Sequence, residues 1–407
     1  MIVIKNGSII IDNKLVKKDI LIVGNKISKI EDSIDLDDVV LDAKGCLVMP
    51  GAIDCHVHFR EPGFEKKETI KTGSLSAAKG GFTSVMPMPN LNPCPDSKEN
   101  LLKEIDIINK DSVVNCYPYG ALSCNEEGNI ISNIAEIKDM VYAISDDGVG
   151  VNNISLLEES MKLAKKYDLV IASHAEDLVN GKLPEGEYKA VRREIELAKK
   201  IGCKYHFCHM STKESFEAIR KAKEEGYTNI TCEVAPHHLV LNEGMIKNGN
   251  YKMNPPLRSE HDRLATVKAL IDGTANIIAS DHAPHTKEEK NREYEKCPNG
   301  IIGLETMIPI LYTEFVMKDL IDLNRFLDLL VYNPIKIFNL PKRDLKEGFI
   351  ADIAVIDIEN PHTYKEEEIL SKGKNSPFIG NTYYGFTKYT IVNGKLVYQN
   401  EEWLYEK

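Results

Sequence analysis

Six side chains that bind divalent metal ions each stand at or just past the end of a short apolar run. His56 and His58 end VMPGAIDCHVHF, Asp147 ends MVYAISDD, His174 follows VIAS, His209 follows YHFC and Asp281 follows IIAS. Residues two apart on a strand project to the same side, so the two imidazoles of His56-Val57-His58 can grip one cation. Alone, such a pair is satisfied equally well by ordinary hydrogen bonds. Four imidazoles and a carboxylate gathered in one place are another matter, because each buried polar group needs a partner and a divalent cation supplies one for all of them. Nitrogen and oxygen donors without thiolates favour zinc, with cobalt or manganese as substitutes. Cys55 and Cys208 adjoin these ligands but face the other way on a regular strand, which predicts packing roles. Adjacent aspartates also face opposite sides, so only one of Asp146 and Asp147 reaches the metal. We assign Asp147 and read Asp146 as a turn former beside Gly148.

A scaffold must bring these run ends together. Between about residues 47 and 344 the sequence repeats an apolar run, a polar cluster and a segment of helical period. The remaining runs are FTSVMPMPN, VVNCYPYGA and ITCEVAPHH, which makes eight, and helical stretches such as SLLEESMKLAKKYD and TKESFEAIRKAKEEG lie between them. Ser211 and Glu214 stand at capping-box spacing at the start of the latter. Eight βα units in about 300 residues predict an α/β fold, a (β/α)8 barrel of the TIM type. The C-terminal ends of its strands form the active-site face, where all six ligand candidates fall. The stretch 284–300 follows the eighth strand and reads as a mobile loop over that face.

Both chain ends alternate in strand fashion, with turn signals at Asn6-Gly7 and Asn393-Gly394. Neither is large enough to stand alone, so residues 1–46 and 345–407 are expected to pair into one small β-sandwich outside the 47–344 barrel.

Composition narrows the class. The net charge of −11 argues against a general nucleic-acid surface. No apolar run approaches the roughly 20 residues of a membrane helix, and no export signal opens the chain, so a cytoplasmic protein is expected. Nine scattered cysteines without a CxxC pair read as reduced core residues. In so acidic a chain, an anionic substrate must be held by local cations.

HVHFREPG at 56–63 and GGFTSVMPMPN at 80–90 resemble the dihydroorotase signature within the cyclic amidohydrolases. The resemblance continues through SHAE, HMSTKES, APHHL, MNPPLR and SDHAPH. It implies one zinc on His56, His58 and Asp281, a second on His174 and His209, and Asp147 as the bridge. Many relatives use a carboxylated lysine as that bridge. A short aspartate spans two ions less readily, so one and two zinc ions per subunit both stand.

The resemblance also implies that Arg60, Asn90 and Asn254 hold the carboxylate and ring of dihydroorotate, with His285 beside them and the Asn299-Gly300 backbone closing on the ring. Arg60 suits this, since its planar fork pairs bidentately with a carboxylate. Asp281 would be the catalytic base, moving a proton between water and the ring nitrogen as N-carbamoyl-L-aspartate and L-dihydroorotate interconvert in pyrimidine synthesis. His237 and His238 lie near the mouth without an assigned role. Competing readings are an allantoinase or hydantoinase, and an inactive scaffold for aspartate carbamoyltransferase, which would be expected to have lost ligands. Homo-oligomers and association with that transferase remain open.

Overall fold

The computed structural model describes residues 1–36 and 39–400 of the 407-residue chain. Eight short strands succeed one another through its middle: Ala52–Val57, Phe82–Pro87, Asn115–Cys116, Ala143–Ser145, Val170–Ser173, Lys204–Phe207, Ile230–Val234 and Ile277–Ile278. The neighbouring pairs are parallel. The third strand resumes past Pro118 at Gly120–Ala121, where it pairs with the fourth. The ring closes where Val57 bridges His282 and the His58 N–H donates to the His282 carbonyl at 2.8 Å. The expected (β/α)8 barrel is thus the fold of the chain.

Local sequence explains the helices between these strands. Ile154–Tyr167 begins at Asn153, whose side chain accepts from the Leu156 N–H, and it buries Leu156, Leu157, Met161 and Ala164 as one face. Pro184–Ile201 opens with Pro184, which pre-sets the first turn, and ends at Gly202 with φ 74°. The capping box expected at Ser211 does not form. Helix Lys213–Glu224 starts one residue later, after Thr212, because Ser211 and Thr212 both give their N–H groups and hydroxyls to the buried Glu187 carboxylate.

Two apolar layers hold the barrel. Ile53, Cys55, Met86, Tyr119, Ala172 and Cys208 belong to one cluster drawn from successive strands, capped by Phe338 and Leu340. A larger cluster lies between strands and helices and includes Phe82, Val85, Leu157, Ile195 and Phe216.

The chain ends share one eight-stranded sheet. Its order runs Lys395–Gln399, Phe386–Val392, Ile353–Asp357, Cys46–Pro50, Ile2–Ile11, Lys14–Val23 and Lys26–Glu31, with Val39–Asp42 also pairing Ile2–Ile11. It encloses Ile4, Ile20, Val48, Ile353 and Ile391. Strand Cys46–Pro50 therefore belongs to this sheet, and the barrel begins at Ala52 rather than 47. The run LVMPGAIDCHV hides the boundary because both strands are fully buried and read as one apolar stretch. Among the described residues no helix is long and apolar enough to cross a membrane, and all nine cysteines are free thiols.

Candidate metal and substrate site

The six predicted ligands meet at the mouth of the barrel, all of them buried. Asp147 is central. Its Oδ1 lies 3.4 Å from His56 Nε2, 3.6 Å from His209 Nε2 and 3.9 Å from His174 Nδ1, while Oδ2 lies 3.5 Å from His58 Nε2. Asp281 Oδ1 is 3.3 Å from His58 Nε2 and 3.6 Å from His56 Nε2. Two donors that share a tetrahedral ion at about 2.0–2.1 Å stand about 3.3 Å apart, so these spacings suit a common cation better than direct hydrogen bonds.

The polar atoms agree with that reading. His56 Nε2 and Asp147 Oδ1 are buried with no hydrogen-bond partner, a costly state unless an ion satisfies them. Burial pushes the Asp147 carboxyl up, but the imidazoles of His56, His209 and His58 hold it well below the usual carboxylate range. Burial likewise opposes a charge on His56, yet Asp147 and Glu233 drive its pKa well above the ordinary value. The cluster thus calls for positive charge at its centre, which a divalent cation provides. His56, His58 and Asp147 form one triad of potential ligands and Asp147, His174 and His209 a second, so Asp147 faces both.

Backbone strain aims several of these groups. His209 at φ 35°, Asp281 at φ 47° and Arg60 at φ 61° are left-handed non-glycine residues, a conformation that concentrates at functional sites. The twist at His209 also breaks the expected alternation. Cys208, predicted to face away, instead shares a cluster with His56 and Glu233. Burial pushes its thiol well up, so it stays protonated.

Sequence reasoning passed over two residues that order the site. Glu233, on the seventh strand, pairs with His56 Nδ1 at 2.7 Å and His206 Nε2 at 3.1 Å, and accepts the His209 N–H at 3.2 Å. It fixes the His56 tautomer so that Nε2 faces the centre. Asp54 accepts the N–H groups of His56 and Ser280, each at 3.1 Å, and so ties the first strand to the eighth. A charged residue inside an otherwise apolar strand, as in ITCEV or AIDCHV, was the available signal. Asp146, read as a turn former, is buried and accepts the Leu122 and Ser123 N–H groups at 2.9 Å each.

Beside the metal ligands lies a cavity of about 370 Å³ lined by Arg60, Asn90, Asn254, Asn299 and Gly300, together with Glu126. Arg60 Nε is buried without a partner, and burial lowers its pKa while Asp281 and Asp147 pull it back. Asn254 Nδ2 lies 2.9 Å from Glu176 Oε2 and 3.0 Å from His174 Nε2. Gly300 has φ 126°, and a Cβ there would sit 2.7 Å from both the Cβ and the carbonyl oxygen of Ala283, so only glycine fits.

His285 does not line this cavity. It stands behind Asn299 and donates from Nε2 to that residue's carbonyl at 2.6 Å. Burial and the Arg60 charge push it down to about 3, so it is neutral. Nor is segment 284–300 loosely held. Lys290 Nζ donates to the carbonyls of Lys252, Pro298 and Gly300 at 3.1, 3.1 and 2.7 Å, and Asn375 donates to those of Ala283 and Gly300. His238 Nε2 bonds the Pro255 carbonyl at 3.0 Å, whereas His237 Nε2 is buried without a partner.

Comparison with known proteins completes the picture. Residues 45–190 match the family model described as dihydro-orotase-like. A dihydroorotase of Fusobacterium nucleatum is 46% identical over 98% of this chain and 99% of its own. One from Bacillus subtilis is 43% identical over 97% and 98%. In structure, the L-hydantoinase (dihydropyrimidinase) of Arthrobacter aurescens superposes with a TM-score of 0.88 at 25% identity, covering 100% of this chain and 97% of that one. The dihydropyrimidinase of Brevibacillus agri gives 0.86, also at 25% identity, over 99% and 96%. Shared architecture links the chain to cyclic amidohydrolases in general, and identity above two-fifths along nearly its whole length makes it a member of the dihydroorotase family.

Proposed function

We propose that this protein is a cytoplasmic zinc enzyme that reversibly hydrolyses L-dihydroorotate to N-carbamoyl-L-aspartate, the ring-forming step of pyrimidine biosynthesis run in either direction. The observation that carries the reading is the half-buried Arg60 guanidinium, its Nε buried and without a partner, in a cavity that also contains the His/Asp cluster. A ring bearing a carboxylate pairs with it. Hydantoin and dihydrouracil carry no carboxylate and would leave that cation without a charged partner in the closed site. This favours dihydroorotate over the substrates named for the structural neighbours. All six ligand positions are filled, which also speaks against a silent scaffold.

His56, His58, Asp147 and Asp281 would hold one zinc, and His174, His209 and Asp147 a second. When bound, the metal supplies Lewis acidity toward the ring carbonyl and acidifies water. The remaining work falls to the chain. Arg60 grips the substrate carboxylate, while Asn254 and the Asn299–Gly300 backbone orient the ring. Although burial pushes the Asp281 carboxyl up, the charges of His58, His56 and His209 hold it far below its ordinary range, so it is ionised and can accept a proton. Asp281 takes a proton from the attacking water and delivers it to the departing ring nitrogen. The new carboxyl group then ionises, so ring opening releases a proton and alkali favours the open chain.

The test is a substrate panel of L-dihydroorotate, allantoin and hydantoin, followed by proton release and ring absorbance. Turnover of dihydroorotate alone supports the proposal. Turnover of allantoin or hydantoin in its place would refute the role given to Arg60.

A further inference from the structure

Glu126 reaches the substrate cavity without a part in the chemistry above. It lies in a loop after the third strand, held by Asp146 at Leu122 and Ser123 and closed where the Gly128 N–H donates to Ser123 Oγ at 2.8 Å. Within the loop the Asn125 N–H donates to Asp96 Oδ2 at 3.1 Å. Asn125 and Glu126 adopt successive left-handed conformations, φ 51° and 57°, which side chains rarely take. That backbone coincides with a carboxyl group turned inward onto Asn90.

Asn90 Nδ2 donates to Glu126 Oε1 at 3.0 Å and Oε2 at 3.1 Å, and to the Asp147 carbonyl at 2.6 Å. An amide nitrogen has two hydrogens. One goes to Asp147 and the other is shared by the two oxygens of Glu126. The other polar atom of the amide, Asn90 Oδ1, is buried with no partner. In this arrangement both Asn90 hydrogens are already taken, so a substrate carboxylate finds no donor there. Burial and the neighbouring Asp146 and Asp147 push the Glu126 carboxyl up to about 9, against the pull of Asn90 and Arg60. Its placement is therefore costly, and its contacts are ones that another carboxylate could take over.

We propose that Glu126 is an internal occupant of the substrate-carboxylate position, a displaceable side chain that must leave Asn90 before a substrate carboxylate can bind there beside Arg60, and that it thereby sets the KM for anionic substrates. The inference rests on the substrate reading given above. A binding-competent state populated only in part weakens apparent affinity by that fraction. Removing the occupant therefore tightens binding of a carboxylated ring and leaves a ring without a carboxylate unaffected.

The experiment measures KM for L-dihydroorotate and the inhibition constant of neutral dihydrouracil in the metal-loaded protein, in Glu126→Ala and in Glu126→Gln. The glutamine carbonyl still accepts from Asn90, so that variant keeps a partial occupant. We expect KM to fall roughly three- to tenfold in the alanine variant, the scale of one net hydrogen bond, and less in the glutamine variant, with dihydrouracil unchanged in both. A KM that rises or stays level in both variants would overturn the assignment, since Glu126 would then help to bind substrate or stand apart from it. An equal gain for dihydrouracil would also overturn it, because the effect would come from added space. Absence of dihydroorotate turnover by the unaltered protein would instead refute the substrate reading itself.

Discussion

Replacing Glu233 with glutamine isolates the contribution of a residue that touches neither metal nor substrate. Its carboxylate is 1% exposed and serves three donors, His56 Nδ1 at 2.7 Å, His206 Nε2 at 3.1 Å and the His209 backbone N–H at 3.2 Å. Glutamine keeps the shape but replaces one charged acceptor oxygen with an amide that can only donate. The His56 imidazole loses a charge-assisted bond worth roughly 1.5–3 kcal/mol, and with it the bias that turns Nε2 toward the metal. The corresponding loss of metal affinity is about 10- to 100-fold, or about 1.4–2.7 kcal/mol. Competition with a chromophoric chelator at neutral pH measures this directly. The variant should recover most of its turnover at saturating zinc, because no metal ligand or substrate contact has been removed. Unchanged zinc affinity in a folded Glu233→Gln protein would refute the argument that this carboxylate orients His56.

Other substitutions separate the remaining roles. Asp281→Asn should lower turnover by at least ~100- to 10,000-fold, the usual scale of general acid–base catalysis, with the circular dichroism spectrum intact; steady-state kinetics on dihydroorotate checks this. Arg60→Lys trades a planar fork for a point charge, so KM for dihydroorotate should rise by about tenfold or more while kcat changes less, and an unchanged KM would contradict carboxylate recognition. Lys290 is lowered to about 8 by burial. Between that value and the ordinary lysine range the unfolded chain binds more protons than the folded one, so this group makes stability rise with pH across the window and adds no further slope below it. Lys290→Met should remove that contribution in melting curves at pH 7.5, 9 and 10, and should raise KM by freeing the Gly300 carbonyl.

Legibility followed the periodicity of each element. The barrel could be read because eight apolar runs recur with helical segments between them, and the ligands because five of those runs end in metal-binding residues. The edge at Cys46–Pro50 could not, since two successive strands buried on both faces form one apolar run. Long-range partners were equally hidden. Nothing local in YHFCHMSTKES says that Ser211 will serve Glu187 rather than cap its own helix, or that Cys208 and a left-handed His209 will both approach His56. The position of His285 behind Asn299, and the grip of Lys290 on three carbonyls, depend on a loop path that composition alone does not define. Glu126 escaped notice because its role depends on two left-handed residues in a sequence, CNEEGN, that reads as an ordinary polar turn.

We propose that dihydroorotate turnover depends on a divalent metal held by the cluster around Asp147. The most direct measurement strips the protein with a chelator, removes the chelator, and titrates zinc while following ring opening of L-dihydroorotate. Activity should disappear with the metal and return in proportion to added zinc, saturating at one or two ions per chain. Full turnover by protein shown to be metal-free would contradict it.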